Sequence, residues 1–150
     1  MSFSPNPERP PRPLVPFHDH AQIEILDAPA GQGGSRIPAA PELTNHFGTV
    51  HGGMLFAVGE VAAASAMHRL LGPGIAKVRA ITRKGTIDYL KPARGAISGA
   101  ATIGMSAADI AASLTRLPSI NVPVSVELTD SEGVVVARLA IEWFVGRPKQ

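Results

Sequence analysis

The sequence predicts an α+β domain in which a curved antiparallel sheet wraps around one long central helix. Residues 54–71 are a run of helix-forming residues that is apolar on nearly every side, as expected of a helix in the middle of a core. The strand-like segments after this helix are separated by turns or by one short irregular stretch. These connections are too short for the repeated helical crossovers that a parallel sheet requires.

Composition limits the possible functions. The chain has 150 residues, enough for one domain with a single core, and it has no cysteine, which excludes disulfides and thiolate chemistry. Its net charge is +2 without a block of lysines and arginines, so we expect no nucleic-acid partner. An uninterrupted apolar run of membrane-spanning length and a signal peptide are both lacking. We therefore expect a cytoplasmic protein that does not contact a membrane.

The N-terminal region differs in composition from the rest of the chain. Residues 1–20 contain six of the 14 prolines, and proline fits neither a helix interior nor a central strand. This pattern predicts a flexible or extended arm over residues 1–20. A single domain is expected over residues 21–150.

Before the central helix we expect a strand, a turn and then a short extended piece at residues 35–39. Residues 21–27 alternate weakly and predict a first strand, and residues 31–34 predict a turn. Pro38 and Pro41 argue against a helix before the loop at residues 44–50. Glycines and a proline at residues 72–74 end the central helix.

After the central helix the pattern is that of a sheet. Four segments are strand-like: 76–89, 96–103, 122–129 and 134–145. Residues 122–129 alternate cleanly between apolar and polar side chains, and residues 130–133 predict a hairpin turn. Residues 105–121 give no clear pattern, although their middle favours a helical turn.

Two glycines stand where the central helix is expected to begin. The first turn of a helix has backbone N–H groups without acceptors and a partial positive charge. Because Gly52 and Gly53 have no side chains, a substrate can approach that backbone closely. A carbonyl oxygen that gains negative charge during a reaction would be stabilised there, as in an oxyanion hole. The alternative is an ordinary loop-to-helix turn.

Glu60 is the only acidic residue in this otherwise apolar helix. A buried carboxylate without a partner is costly, so such a residue is normally paired or retained for a function. One interpretation is a general base or a nucleophile. The other is a structural carboxylate, paired with Arg69 or another cation, or placed at an exposed helix edge.

The spacing of these residues has a consequence for assembly. Glu60 lies eight residues after Gly52, which corresponds to roughly 12 Å along a helix axis. One carboxylate cannot easily reach an atom held at the start of its own helix. Two antiparallel copies of the helix would place the start of one beside the middle of the other. We therefore predict a two-fold dimer whose composite sites take Gly52 from one chain and Glu60 from its neighbour.

At these residues the sequence resembles a known family. The pattern N-x5-HGG-x6-E, formed by Asn45, His51, Gly52, Gly53 and Glu60, resembles the active-site signature of hotdog-fold acyl-CoA thioesterases of the PaaI type. The segment TIDYLKPARG at residues 86–95 resembles the end of their strand after the helix, and the hairpin at residues 130–133 also fits. The resemblance covers roughly residues 21–146.

The resemblance implies a fold, an assembly and a reaction. The fold would be a hotdog whose protomers form a homodimer through a continuous sheet and often a homotetramer. The substrate would be an acyl-CoA thioester, and no metal or other cofactor would be needed. The Gly52 N–H would polarise the thioester carbonyl, Glu60 would act as general base or nucleophile, and Asn45 would orient water or the thioester. His51 in such proteins mostly shapes the loop through hydrogen bonds.

Other residues are candidates for substrate binding. Four residues of the loop and helix start are expected to contact the substrate or shape its pocket: Phe47, His51, Gly53 and Met54. Phe56 and Tyr89 add to the expected pocket, and Thr82 is the candidate for a hydroxyl that family members often supply from the strand after the helix. Five cations after the helix are either ligands of CoA phosphates or solvated side chains: Arg79, Arg83, Lys84, Lys91 and Arg94.

The residues leave other functions open. A hotdog protein that binds acyl-CoA or another apolar ligand without hydrolysis would be stabilised by CoA esters but would show no turnover. A hotdog dehydratase or hydratase would use a catalytic histidine with a different loop spacing, and the HGG start argues against it. A zinc site from His46, His51 and Glu60 matches no common spacing, and no G-x-S-x-G motif of a serine hydrolase is present.

Overall fold

The computed structural model describes residues 15–148. Over this range six antiparallel strands form one sheet in the order β1-β2-β4-β5-β6-β3. The strands are β1 (Glu24–Leu26), β2 (Gln32–Ile37), β3 (Arg79–Tyr89), β4 (Ile97–Ile103), β5 (Ser119–Thr129) and β6 (Val135–Gly146). The helices are α1 (Pro16–His20), α2 (Gly52–Leu71) and α3 (Ala107–Arg116), with 3₁₀ turns at Pro41–Leu43 and Gly72–Lys77.

The predicted α+β architecture, with one sheet packed against a long central helix, is confirmed. Alternate residues of the two longest strands are buried: Val122, Val124, Val126 and Leu128 in β5, and Leu139, Ile141, Trp143 and Val145 in β6. The hairpin between these strands forms at the predicted position, where Gly133 N–H donates to the Asp130 carbonyl at 3.1 Å. Strand-like periodicity therefore predicted these two elements correctly.

The prediction of a turn at residues 31–34 is correct only for Gly31. The other three residues belong to β2, which begins at Gln32. Gly33 lies directly against the central helix, where an added Cβ would collide with the Ala62 carbonyl and the Ala66 amide. Two residues further along, the buried Ser35 hydroxyl donates to the Val58 carbonyl at 2.6 Å. The glycine therefore serves close packing of α2 on β2, not a turn.

Several boundaries differ from the expectation. The first strand is limited to Glu24–Leu26. Part of the predicted arm forms the short helix Pro16–His20, with proline in its first turn, and residues 1–14 of the arm lie outside the described residues. Strand β3 begins at Arg79 because a 3₁₀ turn occupies Gly72–Lys77.

The stretch without a clear pattern contains the helix α3. Ser106 caps its start by accepting a hydrogen bond from Asp109 N–H at 3.0 Å. Ile110 and Leu114 are buried, four residues apart on one helix face. The helix ends at Arg116, before Pro118.

A bulge in β3 decides which residues face the central helix. The register against β6 shifts between Thr82 and Lys84. Thr82 pairs with the buried Trp143 before the bulge, and Tyr89 pairs with the buried Ala137 after it. Without the bulge, the side chains of β3 would alternate strictly between the two faces of the sheet, and Tyr89 would lie on the face opposite to that of Thr82.

The central helix has an unusually apolar composition. Gly52–Lys77 has a mean hydropathy of 1.3 in its most apolar window, enough by length and composition alone for a membrane span. Half of that window is buried inside the domain. The core helix of a soluble domain has the same properties, so this feature is weak support for a membrane span.

Candidate active site

The loop before the central helix is held together by the Asn45 side chain. Its Oδ1 accepts hydrogen bonds from Phe47 N–H at 3.0 Å and Thr49 N–H at 3.2 Å. Its Nδ2 donates to Thr49 Oγ1 at 2.9 Å. Asn and Asp commonly stabilise turns in this way. The observed bonds of Asn45 lie within its own loop, and its contact with a substrate stays a prediction.

His51 caps the N-terminus of α2. Its backbone is outside the helical region, with φ −59° and ψ 136°, and its Nδ1 accepts a hydrogen bond from Gly53 N–H at 2.9 Å. Its carbonyl accepts from the amides of Met54 and Leu55. These bonds agree with the expectation that His51 shapes the loop, and they occupy the Gly53 amide.

The Gly52 amide stands apart from its neighbours. The His51 amide donates to the Leu43 carbonyl. The amides of Gly53, Met54 and Leu55 all donate to acceptors supplied by His51. Within residues 15–148 no acceptor is bonded to the Gly52 N–H. An unbonded donor at a helix N-terminus is well placed to bind a carbonyl oxygen or an anion.

This amide lies in an open groove of about 820 Å³. Its lining consists of residues 89–94 together with residues from the loop and the start of α2: Asn45, Phe47, Thr49, Val50, His51, Gly52, Gly53 and Leu55. Its two main walls are joined by a hydrogen bond of 2.8 Å from Val50 N–H to the Ala93 carbonyl. The volume is in the usual range for small-molecule sites.

The predicted substrate-binding residues fall into two groups. Phe47, His51 and Gly53 line the groove, and the Phe47 side chain is 73% exposed. Met54 does not line it and packs against the hydrophobic core. A role for Met54 at the substrate stays a prediction.

Tyr89 contacts Gly52 directly. Its hydroxyl donates to the Gly52 carbonyl at 3.2 Å, and a Cβ added to Gly52 would lie 3.1 Å from the Tyr89 Oη. The sequence predicted a pocket position for Tyr89 but not this bond, which depends on the bulge in β3. The Tyr89 ring therefore forms the groove wall beside the unbonded amide.

Glu60 lies in the middle of α2 and is partly exposed. It accepts a hydrogen bond from Thr82 Oγ1 at 2.9 Å, so Thr82 is the nearby hydroxyl from the strand after the helix. Arg69 does not pair with Glu60, because it forms an ion pair with Asp27 at 3.1 Å. Glu60 is absent from the groove lining of its own chain, as the helix geometry predicted.

The five cations after the helix separate into two groups. Arg79 lies over the Phe144 ring at 5.3 Å, Arg83 donates to Asn121 Oδ1 at 3.4 Å, and Lys84 pairs across the sheet with Glu142. The other two, Lys91 and Arg94, line the groove. Across residues 15–148, no cluster of three or more His, Asp or Glu side chains could hold a metal ion.

Solved structures of similar fold include proteins named as thioesterases. A Pseudomonas aeruginosa protein of unknown function, named a probable thioesterase, has a TM-score of 0.78 at 21% identity over 89% of each chain. A mutant of a thioesterase enzyme from Staphylococcus aureus has a TM-score of 0.72 at 16% identity, covering 89% of this chain and all of the other. At such low identity these similarities establish the fold.

The PaaI protein from the phenylacetic acid degradation operon of Escherichia coli is also similar. Its TM-score is 0.68 at 17% identity, over 89% of this chain and 84% of the other. No curated protein sequence matches significantly. The family model described as "Domain of unknown function (DUF4442)" matches residues 12–145. The chain is therefore a member of the DUF4442 family and has the hotdog fold of the PaaI-type proteins.

Proposed function

We propose that this protein is a thioesterase that hydrolyses acyl-CoA to the free acid and coenzyme A. The observation that supports this most is the unbonded N–H of Gly52, a residue that lines the groove at the start of a helix. A thioester carbonyl oxygen bound to this amide would be stabilised as it gains negative charge. Such a donor typically contributes a factor of about 100 to 1,000 to the rate.

The acid is best supplied by a second copy of the chain. Glu60 lies outside the groove of its own protomer, next to β3, where Thr82 holds its carboxylate. Strand β3 has 11 residues and is the last strand of the sheet, so its outer edge can pair with another β3. Pairing of two β3 edges is the arrangement we propose, and it brings Glu60 of the partner subunit to the groove.

In the general-base route, Glu60 of the partner subunit accepts a proton from water as the water oxygen attacks the carbonyl carbon. The Gly52 N–H stabilises the resulting oxyanion. When the tetrahedral intermediate collapses, the C–S bond breaks and the protonated carboxyl returns its proton to the thiolate of coenzyme A.

In the nucleophilic route, the same carboxylate attacks the carbonyl carbon and expels the thiolate, which leaves a mixed anhydride. Water then hydrolyses that anhydride, restoring the carboxylate and releasing the acid. A single turnover in isotopically labelled water that labels Glu60 would identify the nucleophilic route, because only attack of water on the Glu60 carbonyl of the anhydride puts the isotope into the enzyme. Attack on the acyl carbon of the anhydride gives the same labelled acid as the general-base route.

Asn45 has an indirect part in this proposal. Its side chain closes the loop that forms one groove wall. Its Nδ2 carries two hydrogens and donates one of them to Thr49 Oγ1, so the other remains for the water that the resemblance implies. Thr82 orients the carboxylate of Glu60 and leaves the second carboxylate oxygen for the reaction.

The Gly52 amide can be removed with little disturbance of the helix. Proline has no N–H and is favoured in the first turn of a helix. The preceding His51 has ψ 136°, a conformation compatible with a following proline. Gly52→Pro therefore deletes the donor, while Gly52→Ala adds a Cβ but retains it.

The experiment measures thiol release from a panel of acyl-CoA esters. We expect Gly52→Ala to keep activity within about tenfold of the unchanged protein, since its Cβ crowds only the movable Tyr89 side chain. Gly52→Pro should lose about 100-fold or more. Equal activity of the two variants would remove the amide from the mechanism, and unchanged turnover by Glu60→Gln would remove the acid.

The second candidate is a protein that binds acyl-CoA or another apolar ligand without hydrolysing it. It is favoured by one observation: among residues 15–148 of a single chain, no carboxylate lines the groove. This function predicts that CoA esters raise the melting temperature while no free thiol appears. Thiol release that depends on Glu60 would exclude it.

A further inference from the structure

Three contacts join α2 to β3 along one side of the helix. Gly52, Phe56 and Glu60 are four residues apart in the sequence, so they lie on the same side of α2. Each contacts a different residue of β3, and the order along the strand is reversed: Tyr89, Gly85 and Thr82. The first and last contacts are hydrogen bonds, whereas the middle one is made by the Phe56 ring.

Phe56 packs directly on the backbone of Gly85. A Cβ added to Gly85 would lie 2.6 Å from the Phe56 Cζ and 3.0 Å from the Ile141 Cδ1. Gly85 pairs with Ile141, which is buried in the core, so this part of β3 faces α2. The ring therefore fills the space that a side chain at position 85 would occupy.

The Phe56 ring stands between the groove and Glu60 of the same chain. Leu55 lines the groove, whereas Phe56 does not line it and packs against the hydrophobic core. An apolar chain that starts at the Gly52 amide and extends between α2 and β3 would meet the ring after one helical turn, about 6 Å along the axis. Glu60 lies one further turn along the helix. The ring thus closes the path between α2 and β3.

We infer that Phe56 limits the length of the acyl group, so that the substrates are esters of short acyl chains. The inference rests on the proposed thioesterase function and adds the class of acyl group. With the thioester carbonyl at the Gly52 amide, a short acyl group ends against the Phe56 ring. A longer one enters only if the ring leaves Gly85, which would give up its packing there.

The single tryptophan of the chain lies behind the ring. Trp143 is 5% exposed and lies two residues after Ile141 on the same buried face of β6. Its indole N–H has no hydrogen-bond partner among residues 15–148. The emission of tryptophan depends on its surroundings, so an acyl chain that passes position 56 should change the fluorescence of Trp143.

The first measurement is kcat/KM for butanoyl-CoA and decanoyl-CoA. We expect the unchanged protein to prefer butanoyl-CoA and Phe56→Ala to raise the decanoyl-to-butanoyl ratio at least about tenfold. Phe56→Leu keeps an apolar side chain in the packed position and should raise the ratio about threefold. The control is Phe17→Ala, which removes an exposed ring outside the groove and should change the ratio less than about twofold.

The second measurement needs no turnover. Alkyl-CoA thioethers lack the carbonyl and are not hydrolysed, so their dissociation constants can be measured by calorimetry. We expect the decyl thioether to bind Phe56→Ala about tenfold more tightly than the unchanged protein, and the butyl thioether to bind both alike. Only the decyl thioether bound to Phe56→Ala should shift the emission of Trp143.

Three results would overturn the inference: a preference of the unchanged protein for decanoyl-CoA, the same ratio in Phe56→Ala and Phe56→Leu as in the unchanged protein, or an equal shift in the control. Thiol release that depends on Glu60, with a ratio unaffected by Phe56, would reject the length limit and leave the proposed reaction intact. No thiol release, together with tighter binding of the decyl thioether by Phe56→Ala, would contradict the reaction and support the length limit.

Discussion

The Tyr89 hydroxyl donates a hydrogen bond to the Gly52 carbonyl at 3.2 Å, so the end of β3 is joined to the first residue of α2. The contact exists because the bulge between Thr82 and Lys84 turns Tyr89 toward the helix. A substrate oxygen that accepts from the Gly52 N–H would therefore lie beside the Tyr89 ring. Both the bond and the ring have measurable consequences.

We predict that Tyr89→Phe and Tyr89→Ala have different effects on kcat/KM and on the preference for acyl groups. Phenylalanine keeps the groove wall and loses one exposed hydrogen bond, so kcat/KM should fall by no more than about fivefold. Alanine removes the wall, so kcat/KM should fall further and the preference should move toward bulkier acyl groups. The measurement is kcat/KM over a series of acyl-CoA esters. An unchanged preference in Tyr89→Ala would show that the ring does not border the acyl group.

Thr82 gives a second prediction, because its hydroxyl is the observed hydrogen-bond donor to the Glu60 carboxylate. Thr82→Val keeps the shape of the side chain and removes this donor. We expect kcat to fall about tenfold, since a hydrogen bond to a charged group contributes roughly 1.5–3 kcal/mol. Thr82→Ser retains the donor and is the control, with kcat close to that of the unchanged protein. Similar kcat values for both variants would mean that Thr82 does not orient the acid.

A third prediction concerns stability and the packing of α2 on β2. In Gly33→Ala the new Cβ meets the Ala62 carbonyl and the Ala66 amide, which are backbone atoms that cannot move aside. We expect the free energy of unfolding to fall by about 3 kcal/mol or more. Gly74→Ala is the control, because nothing lies within 4 Å of its added Cβ. We expect a change of less than about 0.5 kcal/mol there. Equal denaturation midpoints would contradict the close approach.

The parts of the fold with strong periodicity could be predicted from the sequence. Residues 54–71 were expected to be helical and Gly52–Leu71 is helical, so the prediction missed only the two glycines that His51 caps. The strands β5 and β6 were found because each buries every second residue. In contrast, α3 has ten residues and two buried side chains, a pattern too short to identify from periodicity alone.

The features that the sequence could not supply depend on contacts between distant segments. The role of Gly33 follows from the distance between β2 and α2, and a glycine in a sequence is equally compatible with a turn. The position of Tyr89 depends on a bulge that is defined only by pairing with β6. The same is true of the cations, since local sequence does not reveal that Lys91 and Arg94 line the groove while Arg79 stacks on Phe144.

The composite site gives a prediction that depends on assembly. Chains with Gly52→Pro lack the amide, and chains with Glu60→Gln lack the acid, so each homodimer should be inactive. In a mixed dimer, one groove combines the Gly52 amide of one variant with the Glu60 carboxylate of the other. If the two variants are unfolded, mixed in equal amounts and refolded, random pairing should restore about a quarter of the activity of the unchanged protein.

This mixture distinguishes a shared site from a site within one chain. Were both groups to act within one chain, neither variant would contain a complete site and mixing would restore nothing. The controls are each variant refolded alone and the unchanged protein taken through the same procedure, which corrects for losses in refolding. Mass spectrometry under native conditions measures the mixed dimer directly, so a failure to pair is separated from pairing without activity. Abundant mixed dimer without thiol release would reject the exchange of Glu60 between protomers. The Gly52 amide and the Glu60 carboxylate would then be present in the same dimer without forming an active site.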